Sequence, residues 1–343
     1  MVDLGLSDEQ RELVSSFKNL LAKSSPPERV RAAEETAGFD KVLWRALLDT
    51  GAITMGVPEA AGGWGASLVD LALVAEQLGR AAAPAPVLEA QVAARLLAAV
   101  ATDPAKDCLA HVVDGEQLVT IAVRRPIGTA AELTPAGAVC DAMLVLDGER
   151  LVVVPVADSD RRLVANLASA PLADVDIAGR GIEVASGGEA VARFERAIDE
   201  WLALTAAAVV GIASAANEIG CAYAAERKAF GAVIGTFQGV AHPLADDATS
   251  IDGSRLLVQK AAWSLDREAP RGRELAAMAF AFASETAEAA TYNALHVHGG
   301  YGFMLEYDVQ LYFRRARGWP RVWGDAAAAY ERAAQARYRA GSR

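Results

Sequence analysis

The chain has 343 residues and 53% hydrophobic content, enough for a sizeable core and two or three subdomains. A net charge of −11 with few aromatics excludes the basic, aromatic-studded face that nucleic acid requires and disfavours anionic membranes, so an anionic ligand must be held by local positive groups. Cys108, Cys140 and Cys221 are scattered singly, which suits a reducing cytoplasm and argues against a disulfide framework or zinc.

Met1-Val2-Asp3 opens no basic or apolar leader, so no signal peptide is expected. Ser7-Asp8-Glu9-Gln10 is a capping-box pattern, predicting an amphipathic helix that ends before Ser24-Ser25-Pro26-Pro27. Helical patterns follow over Lys41–Asp49, Ser67–Arg80 and Val87–Val100, punctuated by Pro58, Gly62-Gly63 and Pro84 to Pro86. From about Gln117 the period becomes strand-like, with runs at Leu118–Val123, Ala142–Leu146, Leu151–Val156 and Ala173–Ile177. Asp147-Gly148 between two of them signals a tight hairpin. Helical periodicity returns near Glu189. One helix reaches Arg227–Gly231, and its charge-free run Trp201–Asn217 reads as a buried helix. A second covers Thr236–Asp266, interrupted or bent at His242-Pro243. A third precedes Gly299-Gly300, and two shorter helices follow. The expected architecture is mainly α with a small β-domain: an N-terminal helical domain over 1–114, a reduced antiparallel β-domain over 115–188 and a C-terminal helical bundle over 189–343.

Two segments carry chemistry. In Arg227-Lys228-Ala229-Phe230-Gly231, continuing to Phe237-Gln238, the guanidinium suits a diphosphate, Phe230 offers a flat apolar face and Gly231 permits a turn. The next helix N-terminus adds free amides and a positive dipole end. Further on stands His296-Val297-His298-Gly299-Gly300-Tyr301-Gly302-Phe303. Two residues apart, His296 and His298 would point in different directions on a helix, which argues against a metal pair. Arg314-Arg315-Ala316-Arg317 reads as cations at a helix end or as a group reaching a cofactor phosphate or a partner interface, and Trp319, Pro320 and Trp323 as core filling or an interface hot spot.

Together these segments resemble the acyl-CoA dehydrogenase family, with its Arg-x-x-Phe-Gly…Phe-Gln and Gly-Gly-x-Gly-Phe elements. Gly5-Leu6-Ser7-Asp8-Glu9-Gln10-Arg11 and Val57-Pro58-Glu59-Ala60-Ala61-Gly62-Gly63 are similar to that family's opening helix and a later loop. The resemblance implies a C-terminal four-helix bundle and FAD-dependent α,β-desaturation of an acyl-CoA thioester, with electron-transfer flavoprotein as acceptor. It assigns Arg227, Phe230, Gln238, His296, Gly299 and Gly300 to the diphosphate and adenine end of FAD, His296 standing where the family commonly has Gln.

The family's catalytic base does not carry over. Counting from Gly299 brings its usual position onto Trp323, and counting back from Arg227 brings the other usual position onto Trp201. An indole has no basic site. The β-region patterns that hold the flavin ring are also missing between Arg124-Arg125-Pro126-Ile127-Gly128-Thr129-Ala130 and Asp141-Ala142-Met143-Leu144-Val145. The resemblance therefore implies the short, non-catalytic subunit of a heterotetrameric (α2β2) steroid side-chain acyl-CoA dehydrogenase. Such a subunit would share FAD with a catalytic partner that binds most of the acyl-CoA. The alternatives are a self-sufficient homomeric enzyme using Glu200 and a non-enzymatic helical scaffold.

Overall fold

The first helix, α1 (Asp8–Ser24), starts where its sequence predicts. Ser7 Oγ accepts from the Gln10 amide at 3.2 Å while Gln10 Oε1 accepts from the Ser7 amide at 3.1 Å, so two otherwise orphaned donors are satisfied reciprocally. The structure, a computed structural model, describes residues 4–339. After α1 come α2 (Pro27–Ala32), α3 (Lys41–Asp49), α4 (Leu68–Arg80), α5 (Val87–Val100) and α6 (Asp103–Val113). Asp40 caps α3 by accepting from the amides of Val42 and Leu43, and its carboxylate also takes a two-bond grip from Arg29.

Seven short strands follow: β1 (Val119–Ile121), β2 (Ala130–Thr134), β3 (Ala142–Asp147), β4 (Arg150–Pro155), β5 (Arg161–Leu163), β6 (Ala173–Asp176) and β7 (Ile182–Ser186). They form one sheet of order β1-β3-β4-β7 and another of order β2-β6-β5. Asp147 pairs with Arg150 across the expected Gly148 turn. The antiparallel expectation holds for every pair of these strands but one, because β1 runs parallel to β3. Inward residues of both sheets, among them Met143, Val145, Val154, Ala131 and Val175, share one apolar cluster with Phe39. The period of two along β3 and β4 puts alternate side chains into that cluster.

The remaining elements are α7 (Gly187–Glu226), β8 (Lys228–Ala229), β9 (Ala232–Val233), α8 (Gln238–Asp266), α9 (Gly272–His298), α10 (Val309–Gly318) and α11 (Ala326–Arg339). The apolar window of α7 is 89% buried, as a core helix should be. α8 continues through Pro243 without the expected interruption. Pro243 lies in its second turn, where the missing N–H orphans only the carbonyl of exposed Gly239, which water can satisfy.

Residues 28–71 and 84–201 form one compact unit; residues 4–27, 72–83 and 202–339 form the other, the division falling within α4 and α7. The first holds both sheets. In the second, α9 packs against α8, α10 and α11. The backbones of α4 and α7 nearly touch there. A Cβ placed on Gly79 would sit 1.8 Å from the Ala208 carbonyl oxygen, and one on Gly211 would sit 2.0 Å from that of Glu76. Further along α7, a Cβ on Gly220 would sit 3.1 Å from the Ala294 Cα of α9. Beside the crossing, Arg255 donates to Glu76 at 3.0 Å and to Ser214 Oγ at 3.0 Å, joining α8, α4 and α7.

Gly211→Ala should therefore destabilise the protein by about 3 kcal/mol or more, because a methyl group cannot share space with a backbone oxygen. Gly253→Ala, whose Cβ would make an ordinary 3.5 Å contact with the Phe282 ring, should be neutral or stabilising by up to about 1 kcal/mol. Denaturant melts of the two variants check this directly.

Candidate functional site

α7 ends at Glu226, not within the Arg227–Gly231 element, and its last turn closes when the Arg227 amide donates to Tyr223 O at 2.9 Å. The chain then makes a minimal hairpin, Lys228 pairing with Val233 and Ala229 with Ala232. Its two turn residues, Phe230 and Gly231, have φ of +52° and +81°. Positive φ at both positions is the signature of a type I′ turn, whose twist matches that of paired strands. The Ile234 amide returns to Arg227 O at 2.8 Å, closing the hairpin at its base.

α8 begins directly afterwards. Its N-cap residue is Phe237, which provides no side-chain cap to the first-turn amides. The Val240 and Ala241 amides turn back to Phe237 O at 2.9 and 3.0 Å, so the amides left for an anion at the positive end of the dipole are those of Gln238 and Gly239. Gln238 and Gly239 occupy this first turn and are exposed.

α9 arrives at the same end of the bundle. Tyr223, one turn before Arg227, stacks on His298 with ring centroids 4.2 Å apart. His298 is buried, with Nδ1 2.7 Å from Ala294 O; a ring nitrogen facing a carbonyl must donate, so that nitrogen carries the proton. His296 points elsewhere, exposed and stacked on Tyr292 at 6.0 Å, as the spacing of two predicts. Gly299 then adopts φ +61° and ψ −140°, a conformation essentially reserved for glycine. A Cβ on Gly231, Gly239, Gly299 or Gly300 would meet nothing within 4 Å. Internal packing therefore does not exclude a side chain at these positions, and each presents bare backbone to whatever approaches.

Arg227, Phe230, Gln238, His296, Gly299 and Gly300 are all exposed. The Tyr223–His298 stack brings together the helix ends that carry the two motifs. The arrangement offers a guanidinium, uncapped helix amides, an imidazole and glycine backbone, which is the donor set a diphosphate needs. Downstream, Arg317 lies over the Phe313 ring at 3.7 Å and donates to Glu288 O at 3.2 Å, an internal role at the end of α10. Trp323 packs edge-on against the buried Phe280 ring at 5.5 Å.

Trp201 and Glu200 lie in the other unit, early in α7. Trp201 is 1% exposed and donates from Nε1 to Glu89 Oε1 at 3.3 Å. Loss of hydration pushes the Glu89 carboxyl above its ordinary pKa, more than backbone and indole hydrogen bonds pull it down. Glu200 is buried and held on both oxygens. Arg95 donates from Nε to Oε2 at 2.8 Å and from Nη2 to Oε1 at 3.2 Å, and Arg196 from Nε to Oε1 at 3.0 Å. Burial raises the Glu200 pKa, but the two guanidinium groups outweigh it and hold the carboxyl below the usual range. A carboxylate so clamped is a weak proton acceptor. Neither Glu89 nor Arg95 stood out in the sequence. Each meets its partner across more than a hundred residues, and no local pattern encodes that.

Two family models match the chain: the acyl-CoA dehydrogenase N-terminal domain over residues 7–116 and the acyl-CoA dehydrogenase C-terminal domain over residues 187–336. Acyl-CoA dehydrogenase IpdE2 of Mycolicibacterium smegmatis is 33% identical over 330 residues, covering 93% of this chain and 96% of that protein. Benzylmalonyl-CoA dehydrogenase of Aromatoleum aromaticum is 28% identical over 358 residues, covering 92% and 94%. Among solved structures, a variant of the Tcur3481–Tcur3483 steroid ACAD superposes with a TM-score of 0.87 at 26% identity, covering 99% of this chain and 100% of that one. The ChsE4–ChsE5 complex from Mycobacterium tuberculosis shares the fold, with a TM-score of 0.89 at 24% identity over 97% and 98%.

Glu200→Gln is expected to destabilise the protein by about 3 kcal/mol at pH 7, since it leaves two guanidinium groups facing a neutral amide. Because the folded pKa is depressed, the ionised carboxylate stabilises the fold above the ordinary Glu value of about 4.3. That contribution fades as pH falls through the lower folded value. The gap between wild type and variant should therefore narrow in acid, as chemical melts at pH 7 and in more acidic buffer would measure.

Proposed function

The chain belongs to the acyl-CoA dehydrogenase family, and from that premise we propose that it is the subunit of a heteromeric enzyme that lacks the catalytic base and completes a partner's FAD site. The observation that carries this reading is the contrast between two ends of α7. The C-terminal end presents Arg227, uncapped amides and bare glycine backbone outward. The early part buries Trp201, at a position that the family resemblance gives to a base, and clamps Glu200 beside it in the sequence.

Arg227 would hold the FAD diphosphate with the first-turn amides of α8, Gln238 and the Gly299-Gly300 backbone. Phe230 and His296 would line the adenine end. When bound, FAD supplies the two-electron acceptor for α,β-desaturation. The ring-side contacts and the Glu that removes the α-proton would belong to the partner subunit, which would bind most of the acyl-CoA. The Tcur3481–Tcur3483 steroid ACAD, similar along nearly the whole chain, supports a partner subunit and a steroid substrate; an α2β2 assembly and a steroid side-chain CoA ester belong to the same reading. A three-part organisation over 1–114, 115–188 and 189–343, a cytoplasmic location and electron-transfer flavoprotein as acceptor complete the reading.

Self-sufficient dehydrogenation on Glu200 is disfavoured by its two arginine partners, and a cofactor-free scaffold leaves the bare glycines around Arg227 without a purpose. The partner is identified as the acyl-CoA dehydrogenase that copurifies stoichiometrically with the tagged chain. In the complex, Arg227→Ala should lower FAD retention roughly 10- to 100-fold, the loss of a charge-assisted contact worth about 1.5–3 kcal/mol. Arg227→Lys should recover only part of it, since a point charge cannot make a two-bond grip. Flavin absorbance per complex after gel filtration is the measurement. Unchanged flavin content in Arg227→Ala, or acyl-CoA turnover by the chain alone, would sink the proposal.

A further inference from the structure

The elements that carry the candidate phosphate grip all extend about two turns beyond one level of the bundle. At that level a Cβ on Gly220 of α7 would sit 3.1 Å from Ala294 Cα on α9 and 3.3 Å from Leu244 Cδ2 on α8. Beside this crossing, Asn293 of α9 donates from Nδ2 to both carboxylate oxygens of Asp247 on α8, at 3.2 and 3.0 Å. Seven residues onward from Gly220 is Arg227, and seven back from Asp247 is Val240 in the first turn of α8. Seven onward from Asn293, just past the end of α9, is Gly300. Seven residues make two helical turns and about 10 Å of rise.

Polar pairs fix the register of α8 on α9. Two turns further along α8, Ser254 Oγ donates to Thr286 Oγ1 at 3.1 Å, and Thr286 stands seven residues before Asn293. The same step again brings Ala261 level with Ala279, both fully buried. A seam of such small side chains resists slippage weakly, because its ridges are shallow. A slip of one turn, about 5.4 Å, would break both polar pairs and leave the carboxylate buried without a donor. Stability alone does not ask for this clasp. Asp247 is 5% exposed and its partner is a neutral amide. Burial, with the neighbouring Asp246 charge, pushes its carboxyl above the ordinary aspartate range despite the Asn293 hydrogen bond. An apolar pair of similar volume would avoid that cost, and fixing register is the best-attested use of a buried polar group.

We propose that Asp247 is a positioning residue for flavin binding, its clasp with Asn293 setting the height of α8 on α9. At that height the Gln238 and Gly239 amides meet the flavin phosphates together with Arg227 and the Gly299-Gly300 backbone. The inference rests on the shared-flavin reading above. Asp247 acts from about 10 Å away, through the helix it aligns. A one-turn error would carry the two amides about 5.4 Å from the phosphates, beyond hydrogen-bond reach, while the guanidinium and the glycines stayed in place.

The decisive variant replaces both partners, Asp247→Leu with Asn293→Leu. The isolated chain should melt at or above the wild-type temperature, since both polar groups are removed together. In the copurified complex, flavin retention after gel filtration should nevertheless fall roughly tenfold, the loss of about one or two amide contacts. A purely structural clasp would move stability and flavin in the same direction. If the Leu pair does not fold, the exchanged pair decides, with flavin measured below each variant's melting temperature. Asn293→Asp sets two carboxylates face to face and should release flavin from a folded chain. Adding Asp247→Asn restores an amide–carboxylate pair with the roles reversed, and flavin retention should return to near the wild-type level. Flavin kept at the wild-type level by the Leu pair, or by folded Asn293→Asp where the Leu pair does not fold, overturns the positioning role. So does a folded Leu pair that loses stability and flavin together, or an exchanged pair that does not regain flavin. In each of these cases the shared-flavin reading stands as long as Arg227→Ala still loses flavin. If Arg227→Ala keeps its flavin, that reading fails and the role of Asp247 with it.

Discussion

The close approach of α7 to α4 and α9 is the constraint from which the geometry of the candidate site follows. At Gly79 and Gly211 the two helix backbones are separated by no side chain, and at Gly220 α7 meets the backbone of α9. Such contacts fix a helix more tightly than Leu-on-Leu packing, because backbone atoms have no rotamers through which to yield. They also account for the Ala-rich composition. Ala206, Ala207, Ala208, Ala213 and Ala216 are buried on α7, and larger residues there would push the helices apart. With α7 fixed against α9, the C-termini of both helices are delivered to one end of the bundle. The Tyr223–His298 stack completes the junction.

What the junction presents is a local reversal of the molecule's electrostatics. A chain of net −11 repels anions at long range, yet that repulsion is screened over about 8 Å at physiological ionic strength. Within that distance the nearest charges and dipoles decide. Exposed Arg227 and Lys228 stand beside the uncapped N-terminus of α8, and no side chain projects from the neighbouring glycines to keep a ligand away. Oriented amides need little reorganisation to donate to phosphate oxygens, and an exposed guanidinium can add a two-bond grip.

The parts legible in the sequence were those whose causes are local. The Ser7–Gln10 capping box, the Asp147-Gly148 turn and the long apolar-periodic helices each depend on residues within a few positions of one another. The strands β2, β5 and β7 escaped because charged residues break their apolar pattern, Glu132 in β2, Arg161 and Arg162 in β5 and Glu183 in β7, and the exposure pattern of β7 leaves only Val184 fully buried. The parallel β1–β3 pair escaped because parallel pairing has no turn to announce it. In the sequence the hairpin at Arg227 resembles a helix end, because Ala-Phe-Gly-Ala lacks the Asn or Asp that marks a type I′ turn and its strands are two residues each. At the site, the sequence named residues and the structure supplied their exposure. Arg227, Gln238, Gly299 and Gly300 could equally have been internal caps until the open space above the glycines was visible.

On the proposed reading, the neighbourhood of Trp201 separates a retained carboxyl from a retained base. A general base must reach its proton and must release its own hydrogen bonds as it accepts it. Glu200 is poorly placed for the second demand: Arg95 and Arg196 occupy its oxygens, and protonating it would leave two guanidinium groups in a buried place without their counter-charge. Glu89 has the opposite environment, with desolvation favouring its neutral form, but its Oε1 accepts from the indole that fills the adjacent space. One acid is thus too well stabilised as an anion, and the other is engaged with the Trp201 indole. Substituting Trp201 by Glu alone would therefore not restore a base. It would bury a second carboxylate beside Glu89, whose burial already favours the neutral form, and like-charge repulsion would keep one of that pair protonated.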